Sequence, residues 1–117
     1  MKRDWDLIRE LLLDIEANLD PLKGSYKPKI EGRGHSEIYG HLVLLEDGGF
    51  ISGRNTATQL HSEFMVKSIT YNGYDFLDTV RDISQWKKIK EFVKSKGAPL
   101  FLETIKIAAA EFVKNLF

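Results

Sequence analysis

Three aspartates could form a catalytic or metal-binding set. Asp75, Asp78 and Asp82 recur at steps of three and four residues, which predicts that they share one side of a helix with Arg81 beside them. Paired carboxylates can transfer protons or hold magnesium. No nucleophile or phosphate-binding loop accompanies them, and an ion pair with Arg81 accounts for their presence. We therefore predict no catalytic residue and a protein that is not an enzyme.

A second group of residues with ligand chemistry contains histidines. Glu37 and His41 are one helical turn apart and could share a metal ion with His35 or His61. The chain has no cysteine, so a zinc site would need three such ligands to converge. A histidine whose ring is hydrogen-bonded by the backbone is the more common arrangement. We predict neither a metal nor a cofactor.

Basic residues form patches in a chain with 17 Lys or Arg, 17 Asp or Glu and a net charge of zero. Zero net charge argues against binding nucleic acid by bulk electrostatics, because phosphate contacts need a concentrated positive field. The patches could still contact phosphates or a minor groove, although each is also typical of an ordinary solvated surface. The candidate nucleic-acid-binding residues are Lys27, Lys29, Arg33, Arg54, Asn55, Lys87, Lys90 and Lys94.

The first predicted elements are a helix and a short strand. Apolar residues at steps of three and four predict a helix from Asp4 to Asn18 or Leu19, with Asp4 as its N-cap. Alternation over Tyr26–Ile30 then predicts an edge strand, since Pro28 is tolerated only at the edge of a sheet.

The middle of the chain predicts a helix, a hairpin and a further helix. The helix over Ser36–Asp47 ends at Gly48-Gly49, and Phe50-Ile51 and Phe64–Ile69 predict the two hairpin strands. The polar tip between them is longer than a tight turn. Thr70 caps the third helix. The residues of that helix that we expect in the core are Phe76, Leu77, Val80 and Ile83.

Two more helices complete the predicted order. Ser84 is the expected cap of the fourth, and Pro99 is well placed at or just before the first turn of the fifth. Leu100 and Ile107 fall among polar residues of the last helix, and Phe117 ends the chain with an aromatic side chain. Together they predict a homodimer interface, although isolated apolar residues are also common on protein surfaces.

This order of elements predicts an α+β fold that is winged-helix-like. Its parts are a helix, an edge strand, a helix, a β-hairpin wing and a helix, with two additional C-terminal helices. The length of 117 residues predicts a single domain, with a core over residues 1–83 and a C-terminal helical extension over residues 84–117. No apolar run approaches the length of a membrane helix, so we predict a cytoplasmic protein without membrane contact.

Three blocks of the chain also carry a resemblance. MKRDWDLIRELLLDIE, HLVLLEDGGFI and ITYNGYDFLDTVRDISQW resemble, in that order and spacing, a family of small uncharacterised bacterial and phage proteins classed as a domain of unknown function. The resemblance covers most of residues 1–96. It implies a winged-helix-like fold and a bacterial, phage or prophage origin, and it supplies no activity or site residue.

Two functional classes remain open from the sequence. The first is a nucleic-acid-binding regulator that contacts duplex DNA through the wing and the lysine patches. The helix over Ser36–Asp47 is poorly suited to recognise base edges in the major groove, because its outward positions include three acidic residues and no basic residue. The second is a protein-interaction module that engages a phage or host protein and does not bind DNA.

Overall fold

The computed structural model describes residues 1–114, and within them it has five α-helices and one two-stranded antiparallel sheet. The elements are α1 (Trp5–Asn18), α2 (His35–Asp47), β1 (Ile51–Asn55), β2 (Phe64–Ile69), α3 (Tyr71–Val80), α4 (Ile83–Ser95) and α5 (Leu102–Lys114). This is the mixed α+β composition that the sequence predicts. The chain forms two compact units, Met1–Leu77 and a second one that begins at Asp78.

Helix α1 begins and ends where the sequence predicts. The Asp4 carboxylate accepts a hydrogen bond from the Leu7 amide at 3.1 Å and so caps the first turn. The last helical residue is Asn18, and Leu19 already has an extended backbone. One continuous side of the helix is buried, and it consists of Trp5, Leu7, Ile8, Leu11, Leu12 and Ile15.

The predicted edge strand over Tyr26–Ile30 is reduced to one isolated bridge. The amides and carbonyls of Tyr26 and Val66 exchange two hydrogen bonds of 2.8 Å. Continued in the same antiparallel register, the ladder would next need Pro28 to donate to Phe64. Proline has no N–H group, so the pairing stops after a single bridge.

Helix α2 starts at His35, after the N-cap Gly34, and ends at Asp47. The glycine pair ends it as predicted, and Gly49 is the residue that takes the left-handed conformation, with φ of 79°. The residues that α2 buries include the three apolar positions expected in the core, Ile38, Leu42 and Leu45.

Thr70 joins the hairpin to α3, as the sequence predicts. Its hydroxyl accepts a hydrogen bond from the Gly73 amide at 3.0 Å and donates one to the Gly49 carbonyl at 2.5 Å. The Phe76 ring, one turn further along α3, stacks on Phe50 with ring centroids 5.1 Å apart. The cap therefore also ties the start of α3 to the turn that follows α2.

The cap of α4 is Asp82 and not Ser84. The Asp82 carboxylate accepts a hydrogen bond from the Gln85 amide at 2.8 Å, so the helix starts at Ile83. Ile83 was expected in the core and is 51% exposed, because α3 ends at Val80 and the break separates Ile83 from the apolar side of α3. The second unit buries Val80, Trp86, Ile89, Val93, Ile105 and Ala108.

Helix α5 starts at Leu102, and two residues therefore separate it from Pro99. The Thr104 hydroxyl is within hydrogen-bonding distance of the Pro99 carbonyl, at 2.8 Å, and accepts from the Phe101 amide at 3.0 Å. The threonine thus closes the turn that precedes the helix. Phe117, one of the three residues of the predicted homodimer interface, lies outside residues 1–114.

Candidate functional site

The hairpin arm, defined as residues Ile51–Ile69, presents the first group of candidate residues. Its strands pair with Asn55 opposite Phe64, and a bulge lies between Ser52 and Gly53. One side of the arm packs into the first unit through buried side chains, which are Ile51, Phe64, Val66 and Ile69. Arg54 lies outside this set and is exposed.

The tip of the arm is a tighter turn than the sequence suggests. The Thr56 amide donates to the Glu63 carbonyl at 2.9 Å, and the Thr58 amide donates to the His61 carbonyl at 2.6 Å. The Thr58 hydroxyl then accepts from the amides of Leu60 and His61 at 3.3 and 3.1 Å. Backbone pairing therefore continues beyond the strands and closes in the four residues Thr58–His61.

Two contacts brace the arm from the segment that precedes it. The Lys27 ammonium lies 2.8 Å from a carboxylate oxygen of Glu63. A ring nitrogen of His35 makes a short hydrogen bond of 2.5 Å with the Ser62 carbonyl. The hydrogen bond from Lys27 lowers the pKa of the Glu63 carboxyl. Lys27, a candidate for binding phosphate, is therefore already engaged by a carboxylate.

The other candidate nucleic-acid-binding residues near the arm differ in whether their side chains are available to a ligand. The Asn55 side-chain oxygen accepts hydrogen bonds from the Tyr39 hydroxyl at 3.0 Å and from the Ala57 amide at 2.9 Å. Asn55 thus holds β1 to α2. Arg54 and Lys29 are exposed, and neither has a charged partner within residues 1–114.

Arg33 is held in an ion-pair network. Its guanidinium donates to Asp4 at 2.8 Å and to Glu37 at 2.6 Å. These hydrogen bonds raise the pKa of Arg33. Partial burial alone raises the pKa of Asp4, but the hydrogen bonds from Arg33 and the Leu7 amide outweigh it and hold that pKa below its ordinary value. Arg33 ties α1 to α2 and is not available to a ligand.

His41 lies at the centre of the same region and is completely buried. One ring nitrogen, Nε2, accepts from the Asp4 amide at 2.9 Å, so Nδ1 carries the proton and donates to the Glu37 carbonyl at 2.8 Å. The backbone thus satisfies both nitrogens, as the sequence favoured. In the described part of the chain, no group of three or more His, Asp or Glu residues is arranged to hold a metal ion.

The three aspartates do not form the expected row. Arg81 donates to Asp78 at 2.9 Å, which confirms the predicted ion pair. Asp82 lies beyond the end of α3 and caps α4 instead. The expectation of one helical side carrying all three carboxylates is therefore wrong, because the chain breaks between Val80 and Ile83.

The lysine flank, defined as Lys87, Lys90 and Lys94, lies on α4 in the second unit. Lys87 and Lys94 are exposed and have no carboxylate partner among the described residues. Lys90 is half-buried, with its ammonium 5.4 Å from the centroid of the Trp86 ring. The stripe predicted from the spacing therefore exists on the helix, and its two ends are open to solvent.

The predicted homodimer residues are unequal in exposure. Ile107 is 53% exposed, whereas Leu100 is half-buried. Phe117 is outside the described residues. The exposed residues of α5 also include Val113, which is 51% exposed.

Leu60 is the residue that sequence reasoning missed. It occupies the closing turn of the hairpin arm and is 88% exposed. The signal in the sequence is a single large apolar residue within the polar run SGRNTATQLHSE, which predicts no core position for it.

Comparison with known proteins places the chain in a family. Residues 2–99 match the family described as "Hypothetical protein (DUF2513)". The chain belongs to that family. It is also similar to an uncharacterized protein of Haemophilus influenzae (strain ATCC 51907 / DSM 11121 / KW20 / Rd), with 30% identity over 117 residues that cover 99% of this chain and 98% of the relative. The family carries no assigned function, in line with the resemblance in the sequence.

Two further findings concern the whole fold. No solved structure matches the chain. Among the helices of residues 1–114, none has the length and apolar character needed to cross a membrane.

Proposed function

We propose that this chain is a non-enzymatic, winged-helix-like module of bacterial or phage type that binds duplex DNA, and that the lysine flank of α4 is its main contact with phosphates. The order helix, helix, hairpin, helix supports the winged-helix assignment, with α2 in the place of a recognition helix and the hairpin arm in the place of the wing. The observation that carries the proposal is the pair Lys87 and Lys94 on one helix, both exposed and without a carboxylate partner within residues 1–114.

The distribution of charge supports this use of α4. Residues 1–77 contain nine Lys or Arg and twelve Asp or Glu, whereas residues 78–117 contain eight Lys or Arg and five Asp or Glu. Helix α4 itself has four lysines and a single acid, Glu91. The zero net charge is therefore the sum of an acidic unit and a basic one, and the positive field is concentrated as phosphate binding requires.

The geometry of α4 orients the lysine flank. Trp86, Ile89 and Val93 are buried and fix the rotation of the helix. Lys87 and Lys94 are seven residues apart, which corresponds to about 10 Å along the helix axis. Both side chains lie on the same side, because seven residues are nearly two turns. Such a spacing lets two ammonium groups contact different phosphates of one backbone.

Helix α2 is not the reading element in this proposal. Most of its outward positions are half-buried or acidic, and Glu46 and Asp47 end it with two exposed carboxylates. Carboxylates repel the phosphate backbone on both sides of the major groove. We therefore expect affinity that depends strongly on salt and weakly on base sequence.

The experiment compares a double charge reversal on the flank with a matched reversal elsewhere. Lys87→Glu with Lys94→Glu removes two phosphate contacts, so the slope of log affinity against log salt should fall by about 2 between ~50 and ~200 mM salt. Lys2→Glu with Lys23→Glu changes net charge equally at exposed positions of the first unit. The control should retain most of the slope. Equal losses in the two variants, or no binding of the native chain at ~50 mM salt, would refute the proposal.

A second candidate function is a protein-interaction module that engages a phage or host protein. The observation that favours it is the engagement of Lys27 and Arg33 by carboxylates and of Asn55 by Tyr39. Those three residues were predicted to contact nucleic acid, and their internal contacts leave fewer cations for phosphates. Absence of DNA binding at low salt would favour this second function.

A further inference from the structure

The apex of the hairpin arm carries an apolar side chain that neither turn chemistry nor the core explains. Turns favour Gly, Pro, Asn, Asp and Ser, and the turn Thr58–His61 has none of these. Leu60 is 88% exposed there, so it contributes no buried area to folding. Single exposed apolar residues are common on protein surfaces, so it is the place of Leu60 at the apex of a hydrogen-bonded turn, and not its exposure alone, that the inference uses.

The arm presents Leu60 in an ordered position. The Thr58 hydroxyl accepts hydrogen bonds from the amides of Leu60 and His61, and the Thr58 amide donates to the His61 carbonyl. Below the turn, Glu63 is held by Lys27. Because these hydrogen bonds already hold the backbone of the turn, little backbone entropy remains to be lost when the Leu60 side chain binds.

The surroundings of Leu60 fit a polyanion better than a protein pocket. Residues 52–62 contain Arg54 and His61 and no acid. The next carboxylate, Glu63, is paired with Lys27. The immediate neighbours of Leu60 are polar, so the apex offers one apolar side chain and no apolar rim. A stable protein interface, by contrast, buries about 800 Å² of accessible surface on each partner. A DNA wedge needs only one such side chain, because phosphate contacts supply the affinity.

We propose that Leu60 is a wedge that enters the minor groove of duplex DNA at a flexible base step and partly unstacks it, with Arg54 in the adjoining groove. The inference rests on the proposed DNA binding and adds a bend and a preference for deformable steps. Apolar side chains inserted in this way kink the duplex, and pyrimidine–purine steps such as TpA yield most easily.

The test uses two duplexes of about 20 base pairs and equal composition, one with central TpA steps and one with an uninterrupted A-tract. Donor and acceptor dyes at the two ends report bending by energy transfer. The native chain should bend the TpA duplex and prefer it by about tenfold. Leu60→Ala should abolish the bend and the preference, and Leu60→Met should retain both. Gln59→Ala, at the neighbouring turn position, is the matched control and should behave like the native chain.

The outcomes separate this inference from the function on which it rests. Binding at ~50 mM salt without bending, or bending that Leu60→Ala leaves intact, would overturn the wedge and leave the lysine-flank proposal standing. No binding of either duplex would overturn both. Loss of bending in Leu60→Ala at unchanged circular dichroism, together with unchanged salt dependence, is the result that supports the wedge.

Discussion

Replacement of two helical glycines by alanine should change stability in opposite directions. Gly73, in the first turn of α3, lies against Phe50, and a β-carbon there would overlap the Phe50 carbonyl oxygen and come within 2.7 Å of Ile69 Cγ2. Gly40, inside α2, would place its β-carbon 2.5 Å from the Met1 sulfur, which is the far end of a side chain in a residue that is 74% exposed. The first neighbour is fixed backbone, whereas the second can move into solvent.

The magnitudes follow from those neighbours. Overpacking at Gly73 costs about 1–3 kcal/mol. Displacement of Phe50 would also weaken the hydrogen bond of 3.0 Å from the Thr70 amide to the Phe50 carbonyl, which contributes about 1 kcal/mol. Alanine gains up to about 1 kcal/mol of helix propensity over glycine. Gly73→Ala should therefore destabilise the chain by about 2 kcal/mol. Gly40→Ala should stabilise it by about 0.5–1 kcal/mol.

Urea unfolding would measure both effects. Each compact unit has one of the two tryptophans, so fluorescence in a Trp86→Phe background reports on Trp5 in the first unit. The Trp5 ring is 5.4 Å from Phe76, which stacks on Phe50, so it senses a displacement at Gly73. We expect the midpoint to fall by about 1 M urea for Gly73→Ala. A neutral or stabilising Gly73→Ala would contradict the packing argument, as would a destabilising Gly40→Ala of similar size.

Two more predictions concern a tyrosine and the last helix. Burial and the hydrogen bond to Asp14 raise the pKa of Tyr26 to about 12, against an ordinary value of 10.0, so ultraviolet titration should show one late tyrosine that Tyr26→Phe removes. Because the pKa of Tyr26 is higher in the folded state, the stability that its hydrogen bond contributes is complete below pH ~10 and is lost as pH rises towards ~12. If the native chain instead became increasingly more stable than Tyr26→Phe over that pH range, the assignment would be contradicted. We also propose a homodimer through α5, for which light scattering at micromolar concentration should give a dimer mass that Ile107→Ser with Phe117→Ser reduces to a monomer. A monomer mass in the native chain would exclude the dimer.

Signals that act within one helical turn predicted several helix ends correctly. Asp4, Thr70 and the Gly48-Gly49 pair each end or begin a helix through contacts with residues no more than a few positions away. The cap of α4 was missed, because Asp82 and Ser84 satisfy the same local pattern. The choice between them depends on where α3 ends, and α3 ends at Val80, two residues before Asp82.

The candidate site was less predictable, because its outcome depends on distant partners. Lys27 meets Glu63 across 36 positions, and Arg33 meets Asp4 across 29. No spacing rule indicates either pair before the chain is folded. By contrast, the lysine flank was predictable, since three residues on one helix keep their relative positions whatever the helix packs against.

Zero net charge does not decide whether this chain can bind DNA, because charge acts over a limited distance. At physiological salt the Debye length is about 8 Å, so a phosphate near α4 responds to the charges of α4 and little to acids farther away. In the first unit, carboxylates already hold Lys27 and Arg33, and a paired cation attracts phosphate weakly. In α4, four lysines outnumber one acid, and both ends of the flank are exposed. The local excess of lysine on α4, rather than the zero total, is therefore the quantity that sets attraction to a phosphate backbone.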